Sequence, residues 1–362
     1  MTALVLAASP ALSQGFPSRL SDLEFWQLVT ESSEIGGFFQ SDNLVSNELT
    51  LQQIIPELVK GRAPGGVYLG VGPDQNFTYI AAMRPRAAFI VDIRREAMLQ
   101  HLMYKALFEL AEERADFVSM LFSRPRPANL PSDAAPIQLL EAFYPVASDS
   151  TMYWRTLKAI EDRLTKQHGF ALTNDDLESI RFVFTSFHLA GPDISYNYGQ
   201  AYGGRSRGMP SFADLMVATD AEGLNRGFLG NERHYGVVRQ LQLRNLVVPI
   251  VGDFAGPRAL RAVGRYVRAR GAVVSAIYTS NVEQYLFREP HKWRQYYENV
   301  ATLPVDSTST FVRAVFNVGY SGGGMGARSI TMLQPVLDLL RALREGKIQS
   351  YFDVVNMSRT VW

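Results

Sequence analysis

The residues of this chain best suited to chemistry stand directly after its apolar runs. Val67-Tyr68-Leu69 opens into Gly70-Val71-Gly72-Pro73-Asp74-Gln75-Asn76, and the run from Ala87 to Val91 ends at Asp92, with Arg94 just beyond. Leu246 to Val251 delivers Asp253-Phe254, Ala272 to Tyr278 delivers Ser280-Asn281, and Ile180 to Phe187 delivers His188. Glycines at 70 and 72 let a backbone pass close to a ligand, and the helix that follows them offers free N–H groups. Asp92 lies 20 residues after Gly72, where a carboxylate can accept two hydrogen bonds from a ribose diol. The expected binding residues are Gly70, Gly72, Pro73, Asp74, Asn76, Asp92, Arg94, Asp253, Phe254 and Asn281. Asp253 and His188 are the candidates for a catalytic base, since each follows an expected strand. The plainer reading of the same residues is a structural turn with a solvated carboxylate.

The elements that must position these groups follow from periodicity. A short helix is expected over 16–29 with Ser21 as its cap, and a second one after Thr50, stopped by Gly61. Strand, glycine turn, helix from Phe77 to Met83 and a second strand fall within about 30 residues, the span of a parallel crossover unit. One long helix is expected from Arg95 to Phe122, then an inserted segment at about 124–178 with a helix around Trp154 to Thr165. Ile180 to Phe187 reads as a third strand, and Tyr351 to Val355 as a late one. Helices are expected at 231–243, from Pro257 to Gly271 and from Gln334 to Leu343, with a strand at 311–316. Alternating strands and helices argue one doubly wound, mostly parallel α/β domain over 15–362, with helices on both faces of the sheet.

Composition narrows the function. With 362 residues, 36 Lys and Arg against 35 Asp and Glu, and a formal charge of +1, the chain lacks the basic footprint of a nucleic-acid binder. The absence of cysteine excludes disulfides, thiolate nucleophiles and cysteine-ligated metals. No apolar run reaches the roughly 20 residues that span a bilayer. Histidines 101, 168, 188, 234 and 291 form no pair at helical or strand spacing, so no metal ligands are expected. Gly319-Tyr320-Ser321-Gly322-Gly323 has the form of a nucleophile elbow, but the last histidine, His291, precedes Ser321, contrary to the chain order of that hydrolase class. Tyr196, Tyr198 and Tyr202 with Arg205 and Arg207 could wall a pocket for a second substrate, or form a solvated loop.

Tyr68-Leu69-Gly70-Val71-Gly72-Pro73 resembles motif I of class I S-adenosylmethionine-dependent methyltransferases, and Asp92 fits that family's ribose-binding position. The runs from Leu246 to Asp253 and from Ala272 to Asn281 look like its fourth and fifth strand units. Leu69-Gly-Val-Gly-Pro-Asp-Gln-Asn76 and Val251-Gly-Asp-Phe-Ala-Gly256 look like an uncharacterised bacterial group of methyltransferase-like proteins. The resemblance implies a Rossmann-like, methyltransferase-type sheet, S-adenosylmethionine or a related nucleoside as small-molecule ligand, and methyl transfer to an acceptor. The chain departs from that pattern at Tyr68, where the family carries an acid, and at Asp74, where it often has a third glycine. A binding protein that kept the sheet and lost the cofactor is the alternative. An NAD-type oxidoreductase comes third, because Gln75 replaces the third glycine of its fingerprint.

The segment from Met1 to Gln14 is apolar and ends in Ala11-Leu12-Ser13, a small-x-small triplet of the kind signal peptidase cuts after. It lacks a basic start. Export with cleavage near Ser13 is the expectation; a cytoplasmic chain with an apolar leader is the alternative.

Overall fold

A computed structural model of the chain describes residues 15–197, 209–316 and 329–360. Its first half contains α1 (Asp22–Ser32), α2 (Ile55–Val59), β1 (Val67–Gly70), α3 (Gln75–Met83), β2 (Ala87–Asp92), α4 (Arg95–Leu110) and α5 (Arg114–Phe122). A helical stretch follows, comprising α6 (Pro136–Phe143), α7 (Ser150–Asp162), α8 (Asn174–Ala190), α9 (Phe212–Val217) and α10 (Glu232–Leu243). Then come β3 (Val247–Val251), α11 (Ala259–Ala269), β4 (Val274–Ser280), α12 (Val282–Leu286) and α13 (Pro290–Ala301). The chain closes with β5 (Thr310–Phe316), β6 (Ser329–Pro335), α14 (Val336–Arg344) and α15 (Tyr351–Asn356).

The strands form one six-stranded sheet in the order β3-β2-β1-β4-β5-β6. All neighbours are parallel except β5 and β6. Strands β1, β2 and β3 are buried along their whole length, which is why they read as unbroken apolar runs. Helices α3 and α4 pack with α10, whereas α11 packs with α13 and α1. The helices after β1 and β2 thus form one packing group and those after β3 and β4 another, as the right-handed crossover rule requires of a sheet in this order. The chain order reverses between β1 and β4. There the carboxyl ends of neighbouring strands leave a crevice.

Several expected elements take another form. The run from Ile180 to Phe187 is not a strand: it belongs to α8, whose Thr173 and Asp176 form a reciprocal capping box. Its Ile180, Val183, Phe184 and Phe187 are buried at helical spacing against α4, α5 and α7. The runs at Leu246 and Ala272 are therefore the third and fourth strands, not the fourth and fifth. The long helix expected over 95–122 is two helices that break at Ala111, whose carbonyl accepts from Tyr235 and Arg239. The expected strand at Tyr351 is α15, and Gln334 belongs to β6 rather than to the helix after it. Helices α12 and α13 were not expected. The inserted segment holds α6 and α7 and runs on into α8, so the path from β2 to β3 is mostly helical. Among the described residues no helix is long and apolar enough to cross a membrane. The leader at 1–14, Tyr198, Tyr202, Arg205, Arg207 and Ser321 lie outside the described residues.

Candidate functional site

A cleft of about 230 Å³ opens at the carboxyl edge of the sheet. Gly72 and Gln75 reach it from the β1 turn, Asp92 and Arg94 from β2, Asp253 and Phe254 from β3, and Ser280 and Asn281 from β4. Tyr285 of α12 and Lys292 of α13 close one side. The other side is a strap, residues 33–47, held to strand ends by Glu34 N to Val251 O at 2.8 Å and Gly37 N to Ile93 O at 2.7 Å. Phe39 of the strap meets Tyr285 edge-on at 5.3 Å, giving the mouth an aromatic wall. Phe254 is fixed by stacking on Tyr296 at 5.5 Å.

The glycine turn is braced from beneath. Asn76 Nδ2 lies within 3.0 Å of the carbonyls of Val71, Gly72 and Pro73, and its Oδ1 accepts from Tyr68 Oη at 2.9 Å. Tyr68, standing where the methyltransferase pattern has an acid, thus serves as a buried prop for this loop. Because a trans peptide points its C=O and N–H in opposite directions, drawing the Val71 carbonyl inward turns the Gly72 N–H away from Asn76. His101 Nε2 donates to Gly72 O at 2.8 Å, and burial lowers its pKa to about 4, so the ring is neutral. Gly72 sits at φ +76°, and a Cβ there would meet Gln75 Nε2 at 2.8 Å. A Cβ at Gly70 would overlap Asn76 Oδ1, so that glycine makes room for the prop rather than for a ligand.

Asp92 and Arg94 form a nearly buried pair. Arg94 N donates to Asp92 Oδ1 at 2.9 Å, its Nε lies 3.3 Å from the same oxygen, and its Nη1 reaches Asp42 O at 2.6 Å. Beneath the inner end of the cleft, Glu48 Oε1 accepts from Tyr278 Oη and Ser280 Oγ, and Tyr278 Oη accepts from Gln75 Nε2 at 3.0 Å. Glu48 Oε2, Asp74 Oδ2 and Gln75 Oε1 are buried without a partner. Burial raises the pKa of Glu48 and of Asp74 to about 7.

Of the residues expected from the sequence, the cleft brings together Gly72, Asp92, Arg94, Asp253, Phe254 and Asn281. Gly70, Pro73, Asp74 and Asn76 do not line it; Asp74 and Asn76 are fully buried beneath the turn. His188 does not follow a strand but lies in the last turn of α8, packed on Tyr153 at 4.6 Å, and does not line the cleft. Glu48, Gln75, Ser280 and Lys292 complete the site: Gln75 and Ser280 stand directly after expected strands, Glu48 ends the polar run 41–48 that precedes the helix expected after Thr50, and Lys292 alone carried no signal in the sequence.

The model of a family described as Domain of unknown function (DUF7790) matches residues 43–131 and 151–355. No curated protein matches the chain.

Proposed function

The chain belongs to the family described as Domain of unknown function (DUF7790), and from the cleft inside the matched region we propose that it binds S-adenosylmethionine or a related nucleoside on a methyltransferase-type sheet. One observation carries this reading. Four strands, β1 to β4, each deliver a polar or glycine residue to one cleft at the point where strand order reverses.

The residues fit such a ligand. Arg94 N donates to Asp92 Oδ1 and Arg94 Nη2 to Oδ2, and a carboxylate has about four lone-pair positions, so one hydrogen-bond position on each oxygen remains for a ribose diol. Asp253 and Phe254 offer an acceptor and an aromatic face to a base. Gln75 Oε1, buried without a partner, accepts a donor from the ligand's other end. S-adenosylmethionine supplies an electrophilic methyl group. Its transfer is an in-line displacement, so the protein's task is to align donor and acceptor and exclude water.

An NAD-type ligand fits less well. Pro73 offers no N–H to a pyrophosphate, and the Gln75 side chain fills the place of the third fingerprint glycine. Mass spectrometry of small molecules released from protein purified under native conditions tests the proposal. An adenine nucleoside with a sulfur-bearing side chain supports it; a dinucleotide in the cleft overturns it.

A further inference from the structure

The sequence offered Asp253 and His188 as proton acceptors, and the structure removes His188 from the site. A different pair stands there. Ser280 lines the cleft at the end of β4, where the register with β5 shifts between Tyr278 and Ser280. Its φ is +49°, a left-handed conformation that a serine adopts only when its surroundings enforce it. In this conformation its hydroxyl bonds the carboxylate of Glu48. Glu48 is wholly buried, directly follows the strap, 232 residues before Ser280 in the chain, and is oriented by Tyr278, which Gln75 orients in turn. Nucleophilic and general-base sites share this arrangement: a hydroxyl residue in the cleft wall, a buried base bonded to its hydroxyl and a third group fixing the base.

We propose that Ser280 and Glu48 form the proton-accepting pair of the cleft. The substrate class is a hydroxyl or amine whose hydrogen must leave as its oxygen or nitrogen reacts. This proton moves from the substrate's heteroatom to Ser280 Oγ while the Ser280 proton moves to Glu48 Oε1. The carboxylate becomes a carboxylic acid, and no other reactant is consumed. Ser280 touches the substrate; Glu48 acts through it. A carboxyl that titrates near neutral pH suits the role, because a base is most effective when its pKa lies near the working pH. Asp253 retains the ligand-binding place given above. The inference rests on the proposed ligand reading only in assuming that the cleft receives a small molecule.

Two measurements on the full chain decide it. Titration calorimetry with S-adenosylmethionine at pH 7, in buffers of different ionisation enthalpy, reads protons released on binding. A cation entering the cleft drives Glu48 to ionise, so wild type releases protons and Glu48→Gln releases none. Binding without proton release overturns the pair but leaves the ligand reading standing. Independently, carbon-13 NMR follows the Glu48 carboxyl, identified by its loss in Glu48→Gln. Its midpoint should lie near neutral pH and move upward in Ser280→Ala, which removes a donor to the ionised form. If S-adenosylmethionine gives no heat, the ligand reading fails and the NMR titration decides the pair alone. A midpoint in the ordinary carboxylate range, or one indifferent to Ser280→Ala, overturns it.

Discussion

Arg94 holds the Asp92 carboxylate from two residues further along the chain, with its backbone N 2.9 Å and its Nε 3.3 Å from Oδ1. Both side chains are nearly buried, so each depends on the other for compensation of its charge. Asp92→Asn keeps the shape and removes the charge. If Asp92 binds the ribose, the variant should lose about 1.5–3 kcal/mol of S-adenosylmethionine affinity, the scale of a hydrogen bond to a charged group. That is roughly 10- to 150-fold at 1.4 kcal/mol per decade. Both variants leave Arg94 buried without its counter-charge and should lose stability, about 3–5 kcal/mol in Asp92→Ala and less in Asp92→Asn, which keeps an acceptor oxygen for Arg94. Calorimetry and urea denaturation separate the two effects; unchanged affinity in Asp92→Asn would remove Asp92 from the ligand.

Glu48 and Asp74 set a pH dependence of stability. Burial raises the pKa of both groups to about 7, so the folded chain holds protons that the unfolded chain has released. Their contribution is fully present below the ordinary carboxylate range and is lost as pH rises toward 7. Glu48→Gln, which carries no charge at any pH, should therefore gain relative to wild type as pH rises. The gain should approach a few kcal/mol at pH 8, at about 1.4 kcal/mol per pKa unit. Urea midpoints at pH 5 and pH 8 check this. A constant offset between the two proteins would contradict the raised pKa.

Gly72 should tolerate no side chain. Gly72→Val places a branched residue at φ +76° with its Cβ against Gln75 Nε2. The strain costs on the order of 1–3 kcal/mol, and binding should fall below detection. A variant that melts like wild type and still binds would show that Gly72 does not approach the ligand.

The turn after β4 depends on a buried ion pair. Arg313 Nε lies 2.7 Å from Glu283 Oε2 and its Nη2 lies 3.0 Å from Oε1, with Tyr297 Oη donating to Oε1 at 2.7 Å. Glu283 stands in the first turn of α12, directly after Ser280 and Asn281. Arg313→Met should cost about 3–5 kcal/mol by stranding a buried carboxylate, while the double variant with Glu283→Leu should recover much of that loss. Thermal denaturation of the three proteins tests it; a double variant no more stable than Arg313→Met would contradict the account.

Much of the cleft was legible because open parallel sheets put their chemistry at strand ends. Gly72, Asp92, Asp253 and Asn281 could be found from apolar runs alone, without knowing which strands are neighbours. The Glu48 network could not, because Glu48 meets Tyr278 from 230 residues away and sits in a segment with no periodicity. The misread strand at Ile180 has a physical reason: Ile, Val and three Phe in eight residues favour a pleated surface, and burial of one helix face satisfies the same composition. The capping box at Thr173 and Asp176 was the local sign that a helix begins there. Strand β6 escaped notice because Thr331 and Gln334, both fully buried, break its apolar pattern.

The most direct test is titration calorimetry of the full chain with S-adenosylmethionine, beside the same titration of Asp92→Asn. Wild type should show one-site, saturable binding, and the variant a clear loss. No heat with wild type at millimolar ligand would contradict the S-adenosylmethionine reading and leave the fold as that of a binding protein for another molecule.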